Sequence, residues 1–349
     1  MNLFRHIVWM TVFVVCSIGL SLAQDHNIEV LRSAKTMYER GQFQESIDSI
    51  KTIVAQLKPE LQAQAYRQLA LSYLELNQEK ETDLNIRNLL RVRPDYQLIP
   101  DIDPISFSAL LNQYAVHTKF DLSVGAGINF SGVKVVKNYT PYDANEAYSA
   151  SYGYQLNAGL TYWLNIKYAC TINAGVSRAG YRHTITGISS PGWADNRSTQ
   201  QYDEQMQLLR TGLTVQRLLK LTPSLHLALG IGGGYSRVLS SNASILVRQS
   251  ESGSSSLSTA DVTEYRSRNQ PSLSGMASIR TPLSKGTMSL EYTYDAFLKT
   301  TLSSTQRYQD IHFNLQNHYV NSALRLNLSK ISLRYAFPIS YRISKKTTP

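Results

Sequence analysis

Residues 119–130, KFDLSVGAGINF, alternate without a break between apolar and small or polar side chains. One parity carries the apolar set: Phe120, Leu122, Val124, Ala126, Ile128 and Phe130. The other parity carries the small or polar set: Asp121, Ser123, Gly125, Gly127 and Asn129. Because successive side chains of a β-strand point to opposite faces, the stretch predicts a strand with one apolar face and one polar face. The same period of two continues through the rest of the chain, which restricts this half to a sheet.

Long and short connections alternate between the segments that follow this period. The segments run 12 to 16 residues, well beyond the usual length of about 5 or 6 in soluble sheets. The long connections are 132–151, 182–203, 241–269 and 300–317, and the short ones are 166–167, 220–223 and 283–286. Seven connections join eight antiparallel strands, with ten strands as the alternative. Tyrosines cluster near the strand ends, as in interfacial aromatic girdles, which favours a transmembrane barrel over a water-soluble sandwich.

A sheet in lipid must close, because an open edge leaves backbone groups unpaired, so the apolar face is expected outside and the small polar face inside. The last segment breaks the parity. Leu324, Leu326 and Leu328 share one parity, whereas Ile331 and the alternate residues after it share the other. We therefore expect one long final strand with a bulge near Ser329, which places Lys330 at the slip.

The motif SLRYAF at 332–337 is similar to the aromatic terminal strand of outer-membrane barrels. On this motif and the strand pattern, residues 119–343 resemble the PorT-like and OmpA/OmpX-like outer-membrane β-barrel families. The resemblance implies a bacterial outer-membrane location, with the short turns and both ends of the barrel facing the periplasm. Outer-membrane lipid, including lipopolysaccharide phosphates, is the partner it implies.

The first half of the chain has a helical period. Apolar stripes recur at helical spacing, and Tyr38 to Tyr73 and Pro59 to Pro94 are both separated by 35 residues. On these features the segment resembles tetratricopeptide repeats, which implies a groove that binds a periplasmic protein partner. A rigid helical spacer is the alternative interpretation. A third apolar face is expected to cap the two repeats: Phe107, Leu110, Leu111 and Tyr114.

The N-terminus has the pattern of an export signal. Arg5 and His6 precede an apolar run from Ile7 to Leu20, and Ala23 ends a small-x-small cleavage site. An anchor helix is the alternative. The expected organisation is a signal peptide at 1–23, a helical periplasmic domain at 24–116, the barrel at 119–343 and a basic tail at 344–349. After cleavage Cys170 is the only cysteine left, so no intrachain disulfide is expected.

Charge is divided between the two halves. Residues 24–118 contain 10 basic and 13 acidic side chains, a net of −3, whereas residues 119–349 contain 24 basic and 12 acidic, a net of +12. Basic surfaces bind nucleic acid or anionic lipid. Export argues against nucleic acid, so lipid phosphate is the expected partner of the basic half.

Six charged residues fall on the inward parity and predict an interior ion-pair network: Asp121, Arg210, Arg280, Glu291, Asp295 and Arg325. His183 shares a predicted loop with Ser189, Ser190 and Asp195, the residue types of a catalytic triad. Serine is abundant in all the loops, so this combination does not predict catalysis. We expect no catalytic, metal or cofactor residues. The predicted function is a non-enzymatic outer-membrane anchor for a periplasmic interaction module, with a small pore or a lipid-modifying barrel enzyme as the alternative.

Overall fold

A computed structural model describes residues 26–99, 102–139, 145–189, 197–249, 255–302, 319 and 321–346. The predicted signal peptide at 1–23, together with Ser190 and Asp195 of the catalytic combination, lies outside these residues. The chain divides into two compact units. The helical unit comprises Met1–His117 together with Tyr341–Pro349, and the barrel unit comprises Thr118–Ser340.

The described residues of the helical unit form five α-helices, with a short 3-10 helix, Val54–Gln56, after the second. The α-helices are α1 (26–39), α2 (Phe43–Ile53), α3 (Pro59–Glu75), α4 (Glu79–Val92) and α5 (Ile105–Leu111). Pro59 occupies the first turn of α3. A backbone N–H at that position has no acceptor within the helix, so the missing N–H of proline costs no hydrogen bond. Among the described residues, no helix is long and apolar enough to cross a membrane.

The two helical hairpins, α1–α2 and α3–α4, turn in the same way. Gly41 and Asn77 both adopt a positive φ, of 79° and 58°, the left-handed conformation that favours Gly and Asn after a helix. The same hydrogen bond closes each turn: Gln42 N–H donates to the Met37 carbonyl and Gln78 N–H to the Tyr73 carbonyl, both at 2.9 Å. The turns are therefore 36 residues apart, one more than the predicted offset.

Two apolar clusters hold the helices together. Ile47 and Ile50 of α2 pack with Leu69 and Tyr73 of α3 in the first cluster. The second joins α3 and α4 to the segment that follows them, and its buried side chains include Ile86, Leu89, Phe107, Leu111 and Tyr114. The third apolar face thus covers the end of the two helical hairpins, as predicted.

In the described part of the chain, nine antiparallel strands follow the helices. They are β1 (Tyr114–Lys137), β2 (Asn145–Trp163), β3 (Tyr168–Ser189), β4 (Arg197–Thr222), β5 (Leu225–Gln249), β6 (Ser255–Asp261), β7 (Asn269–Leu283), β8 (Gly286–Phe297) and β9 (Ala323–Lys345). Their order is β4-β3-β2-β1-β9-β8-β7-β5-β6, and β4 also pairs with β5. This last pairing closes a ring of eight strands, so the predicted barrel of eight strands is confirmed, with β6 as an additional short strand.

Strand β6 lies outside the ring because β5 has two successive partners. The half of β5 from His226 to Arg237 pairs with β7, and the half from Asn242 to Arg248 pairs with β6. A short 3-10 helix, Thr263–Tyr265, separates β6 from β7. Residues predicted as the long connection 241–269 are therefore largely strand.

The predicted short turns are confirmed, but the bounds of the first three predicted long connections are wrong; most of the fourth, 300–317, lies outside the described residues. Residues 164–167, 223–224 and 284–285 join neighbouring strands, as expected. By contrast, β1 continues to Lys137, β3 to Ser189 and β5 to Gln249, so the first three long connections are mostly paired strand. Their side chains do not continue the apolar-out pattern, which is why the alternation does not identify them as strand.

The predicted bulge near Ser329 is also wrong. From Thr287↔Ala336 to Ala296↔Asn327, β8 and β9 stay in one register across this position. Leu324, Leu326 and Leu328 are buried on one face of β9, and Ser332 and Arg334 continue the same face. Before Ser329 the apolar side chains of β9 lie on the inward face, and after it they lie on the outward face, while the strand keeps its register with β8.

Candidate functional site

An apolar belt surrounds the part of the barrel next to the short turns, and we call this part the belt section. It includes Cys170–Val176 of β3, Leu209–Val215 of β4 and Leu227–Tyr235 of β5. Its outward apolar side chains are strongly exposed, and Tyr152 and Ile231 reach 77%. A continuous exposed apolar surface of this kind on a protein marks contact with lipid or another apolar partner.

The inside of the belt section is small and polar. Ser123, Asn129, Thr171 and Ser177 are buried there. Close approach of the strands explains the inward glycines of the opening segment. A Cβ at Gly127 would lie 2.1 Å from the Ile331 carbonyl oxygen, so no larger side chain fits without a backbone shift.

Farther from the short turns the pattern inverts, and we call this part the distal section. On β3 the outward residues change from Ile172 and Val176 to the exposed Arg178 and Arg182, while the inward residues become Tyr181 and Ile185. The inward side chains form a closed apolar cluster that draws on several strands: Tyr181, Tyr202, Met206, Leu208, Val238, Ile245, Leu324, Leu326 and Leu328. The distal section is thus built like a water-soluble barrel.

Ion pairs cross the polar interior of the belt section. Asp295 of β8 binds both Arg210 of β4 and Lys330 of β9, the latter at 2.6 Å. Beside them, Glu291 pairs with Arg334 of β9 at 3.3 Å. Charges buried in this way need partners, and the network supplies them across the lumen. A cavity of about 80 Å³ lies among these side chains.

A second interior cavity, of about 140 Å³, lies at the short-turn end. Trp163 donates its indole N–H to Asp121 at 2.6 Å on the wall of this cavity. Arg280 donates to the Gln216 side-chain oxygen at 2.5 Å and to the Ser278 hydroxyl at 3.1 Å. Each cavity has room for only a small number of water molecules.

A buried ion pair lies within the apolar cluster of the distal section. Arg266, in the link between β6 and β7, contacts both carboxylate oxygens of Glu204 at 2.5 and 2.7 Å. Tyr202, Tyr181 and Ser241 donate hydroxyls to the same carboxylate. Burial alone would raise the pKa of the Glu204 carboxyl, but Arg266 and these donors hold it below its usual value.

His183 of β3 lies in the interior of the distal section. The side chain is fully buried, with one ring nitrogen 2.8 Å from the Tyr319 hydroxyl and the other 3.1 Å from Glu146. Burial lowers the pKa of His183, which favours the neutral ring. Of its predicted companions, Ser190 and Asp195 lie outside the described residues. Among the described residues, no group of His, Cys, Asp and Glu is arranged to hold a metal ion.

Five of the six predicted inward charges face the lumen: Asp121, Arg210, Arg280, Glu291 and Asp295. The prediction for Arg325 is wrong, because the inward face of β9 carries Leu324 and Leu326. Lys330 is also corrected, since it lies inside the barrel rather than at a slip. The sequence interpretation missed Glu204, Arg266 and Arg334. Unbroken alternation along β9 from Leu324 would have identified Lys330 and Arg334.

Asp83 of α4 is the centre of a polar cluster in the helical unit. Arg87 and Lys345 lie 2.9 and 2.6 Å from its two carboxylate oxygens, and the Tyr114 hydroxyl donates to it. Ile343 packs beside this cluster against the second apolar core. The start of β1 and the end of β9 are therefore integral parts of the helical unit.

No protein-family profile matches the sequence, and no curated protein sequence is detectably similar to it. Several solved structures of barrel proteins are similar in part. Neisserial surface protein A is 10% identical, with 64% of this chain and 99% of that chain covered and a TM-score of 0.33. A major outer membrane protein from Thermus thermophilus is 16% identical (62% and 99% covered, TM-score 0.33). The outer membrane protease OmpT from Escherichia coli is 10% identical (64% and 95% covered, TM-score 0.28). At these scores the similarities assign neither a family nor an activity.

Proposed function

We propose that this chain is a non-enzymatic outer-membrane β-barrel that anchors the helical unit as a protein-interaction module in the periplasm. The observation that carries the proposal is the change of apolar side along single strands. A barrel wholly in water would keep its apolar side chains inside over its whole length, as the distal section does. The exposed apolar side chains of the barrel are concentrated in the belt section, which fits a band of lipid around that section.

The height of the belt supports this reading. On β2 the outward apolar residues run from Tyr152 to Tyr162, ten residues along the strand. At about 3.3 Å per residue and a tilt of about 40°, they cover about 25 Å along the barrel axis, the height of the apolar band in outer-membrane barrels. Short turns face the periplasm in such barrels, so the short turns and the helical unit are assigned to that side.

Basic side chains at the distal edge of the belt favour anionic lipid as a neighbour. Arg178 follows the outward Val176 on β3, and Arg237 follows the outward Tyr235 on β5; both arginines are exposed. Guanidinium groups at the headgroup level bind phosphate well. Lipopolysaccharide phosphates are therefore the proposed lipid partner at this edge.

A pore or a lipid-modifying enzyme is supported less well. The interior cavities are small, and the apolar cluster of the distal section fills the lumen beyond them. His183, the only histidine in the catalytic hypothesis, has both nitrogens occupied, one by the buried Tyr319 hydroxyl and the other by the partly exposed Glu146 carboxylate. The interior therefore favours a structural barrel.

For the helical unit we propose a tetratricopeptide-like role. The two hairpins share the left-handed residue and closing hydrogen bond described above, as expected of repeated units. Repeats of this kind bind protein segments along their helices, which makes a periplasmic protein the proposed partner.

Cysteine labelling of intact cells tests the orientation. In a Cys170→Ser background, Ser256→Cys on β6 should react with an impermeant maleimide, whereas Lys285→Cys in a short turn should react only after the outer membrane is opened. Both positions are exposed, so accessibility through the membrane is the only expected difference. Labelling of Lys285→Cys in intact cells would contradict the proposed topology.

Removal of residues 27–111 tests the anchoring role. A periplasmic protein that co-purifies with the full chain should be lost, while the truncated barrel should keep the heat-modifiable gel mobility of a folded barrel. Ion flux or lipid turnover carried by the truncated barrel would instead support the pore or the enzyme.

A further inference from the structure

The charges inside the belt section do not balance. Seven charged side chains of the described residues face this interior: Asp121, Arg210, Arg280, Glu291, Asp295, Lys330 and Arg334. Four are basic and three are acidic, which leaves a net charge of +1. At the short-turn end the charges cancel, because Arg280 and Arg334 are matched by Asp121 and Glu291. The excess therefore belongs to the three remaining groups, Arg210, Lys330 and Asp295.

Two cations share one carboxylate oxygen in this group. Arg210 and Lys330 both contact Oδ2 of Asp295, the latter at 2.6 Å. The two basic side chains are only 15% and 11% exposed, and that of Asp295 is 3% exposed. Like charges held this close repel each other, and salt screens the repulsion poorly at a buried site. A second negative charge beside Arg210 and Lys330 would offset the repulsion and balance the group.

The cavity of about 80 Å³ lies against the same three side chains. Arg210 Nε is buried and has no hydrogen-bond partner among the described residues. The same is true of Arg334 Nε and the Ser177 hydroxyl, which also line this cavity. A buried donor without an acceptor is costly, so unpaired donors around one cavity indicate a place for an acceptor. The excess positive charge indicates that this acceptor is an anion.

We propose that this cavity binds a single chloride ion beside Arg210 and Lys330. Since water takes up roughly 30 Å³ per molecule, the cavity has room for a monatomic ion and very few waters. Single charge also fits, because a divalent oxyanion would exceed the excess of +1. The ion would accept from Arg210 Nε and from the ammonium group of Lys330. A water beside it would donate to Oε2 of Glu291, a buried acceptor without a partner among the described residues. The proposal does not depend on the anchoring function.

Equilibrium dialysis against radioactive chloride measures the binding, with the purified full-length protein in a neutral detergent and a chloride-free buffer at pH 7. Wild-type protein should bind chloride saturably, with a single ion per chain. Lys330→Gln should weaken the binding at least tenfold, because it removes the excess charge and one ligand of the ion. Lys285→Gln makes the same change at an exposed residue of a short turn and should leave the binding unchanged.

A pair of variants at Ser274, which lines the cavity from β7, tests the charge balance separately. Ser274→Asp supplies a carboxylate that takes the place of the ion. Ser274→Asn adds a side chain of the same size without charge. Chloride should therefore bind at least tenfold more weakly to Ser274→Asp than to Ser274→Asn.

Gel mobility with and without heating shows which variants are folded, and if Lys330→Gln does not fold, the Ser274 pair decides. Loss of the proton of Lys330 would balance the group without an ion, and wild-type protein would then bind no chloride. Absence of saturable binding by wild-type protein would therefore overturn the proposal. Equal binding by wild type and folded Lys330→Gln, or by the two Ser274 variants, would also overturn it.

Discussion

The belt and distal sections use the same strands and the same period of two, yet their apolar side chains point in opposite directions. On β3, Ile172 points out of the barrel and Tyr181 points in. On the β4 side, the pairing of β3 stays in one register from Tyr168 to Thr186, whereas the β2–β3 pairing shifts by one residue between Ala150 and Gln155. In the proposed location the belt section lies in lipid, so each section places its apolar side chains away from water and the surroundings help to determine which face is apolar.

The two sections also treat buried charge differently. The belt section distributes several ion pairs through a polar lumen with small cavities. Inside the distal section, the described residues place the Arg266–Glu204 pair in an apolar cluster where both side chains are at most 1% exposed. Loss of one partner should therefore cost most in the distal section, because the remaining charge is enclosed by apolar and hydroxyl side chains.

The largest effect is expected from Arg266→Met. It leaves the Glu204 carboxylate buried without its cation, and breaking a buried pair in this way costs about 3–5 kcal/mol. Hydrogen exchange should show loss of protection in the distal parts of β3, β4 and β5, while the belt section stays protected. The double variant Glu204→Gln/Arg266→Met should recover most of the loss. Equal loss in both sections would refute their independence.

A smaller effect is expected when a charge is placed on the belt. Ile231→Arg exposes a guanidinium to lipid and should destabilise the barrel by about 2–4 kcal/mol near the middle of the band. Gln205→Arg makes the same addition on the outward, exposed face of the distal section, where the cost should be within about 0.5 kcal/mol. Urea unfolding in lipid vesicles measures both. Similar costs at the two positions would argue against a lipid-facing belt.

The smallest effect on stability is expected from a fall in pH, which protonates the Glu204 carboxylate. Since the pKa of Glu204 is lowered in the folded chain, its contribution is present above the unfolded pKa of about 4.3 and is lost as pH falls through the folded pKa. The loss can reach about 1.4 kcal/mol per pH unit. Exchange protection of the distal section should thus hold from pH 7 to about 5 and decline below 4. In the Glu204→Gln/Arg266→Met double variant, this decline should be absent.

The sequence predicts the barrel well and its interior only in part. Alternation shows that two faces differ, and long segments joined by short turns give eight strands. Alternation does not show which face is inside, because only strand pairing determines that. The alternation therefore predicts that Leu324, Leu326 and Leu328 face lipid. That prediction requires a slip at Ser329, and it places Arg325 inside the barrel and Lys330 at the slip. The Arg266–Glu204 pair joins residues 62 positions apart, and no local pattern connects them.

The Asp83 cluster has a consequence for the order in which the chain is made. Helix α4, which carries Asp83, is synthesised long before Lys345 and Ile343, the residues that complete its surroundings. The helical unit therefore remains unfinished until the last strand of the barrel has been synthesised. A chain that stops short of β9 lacks Ile343 and Lys345, so part of the second apolar cluster and of the Asp83 cluster stays uncovered.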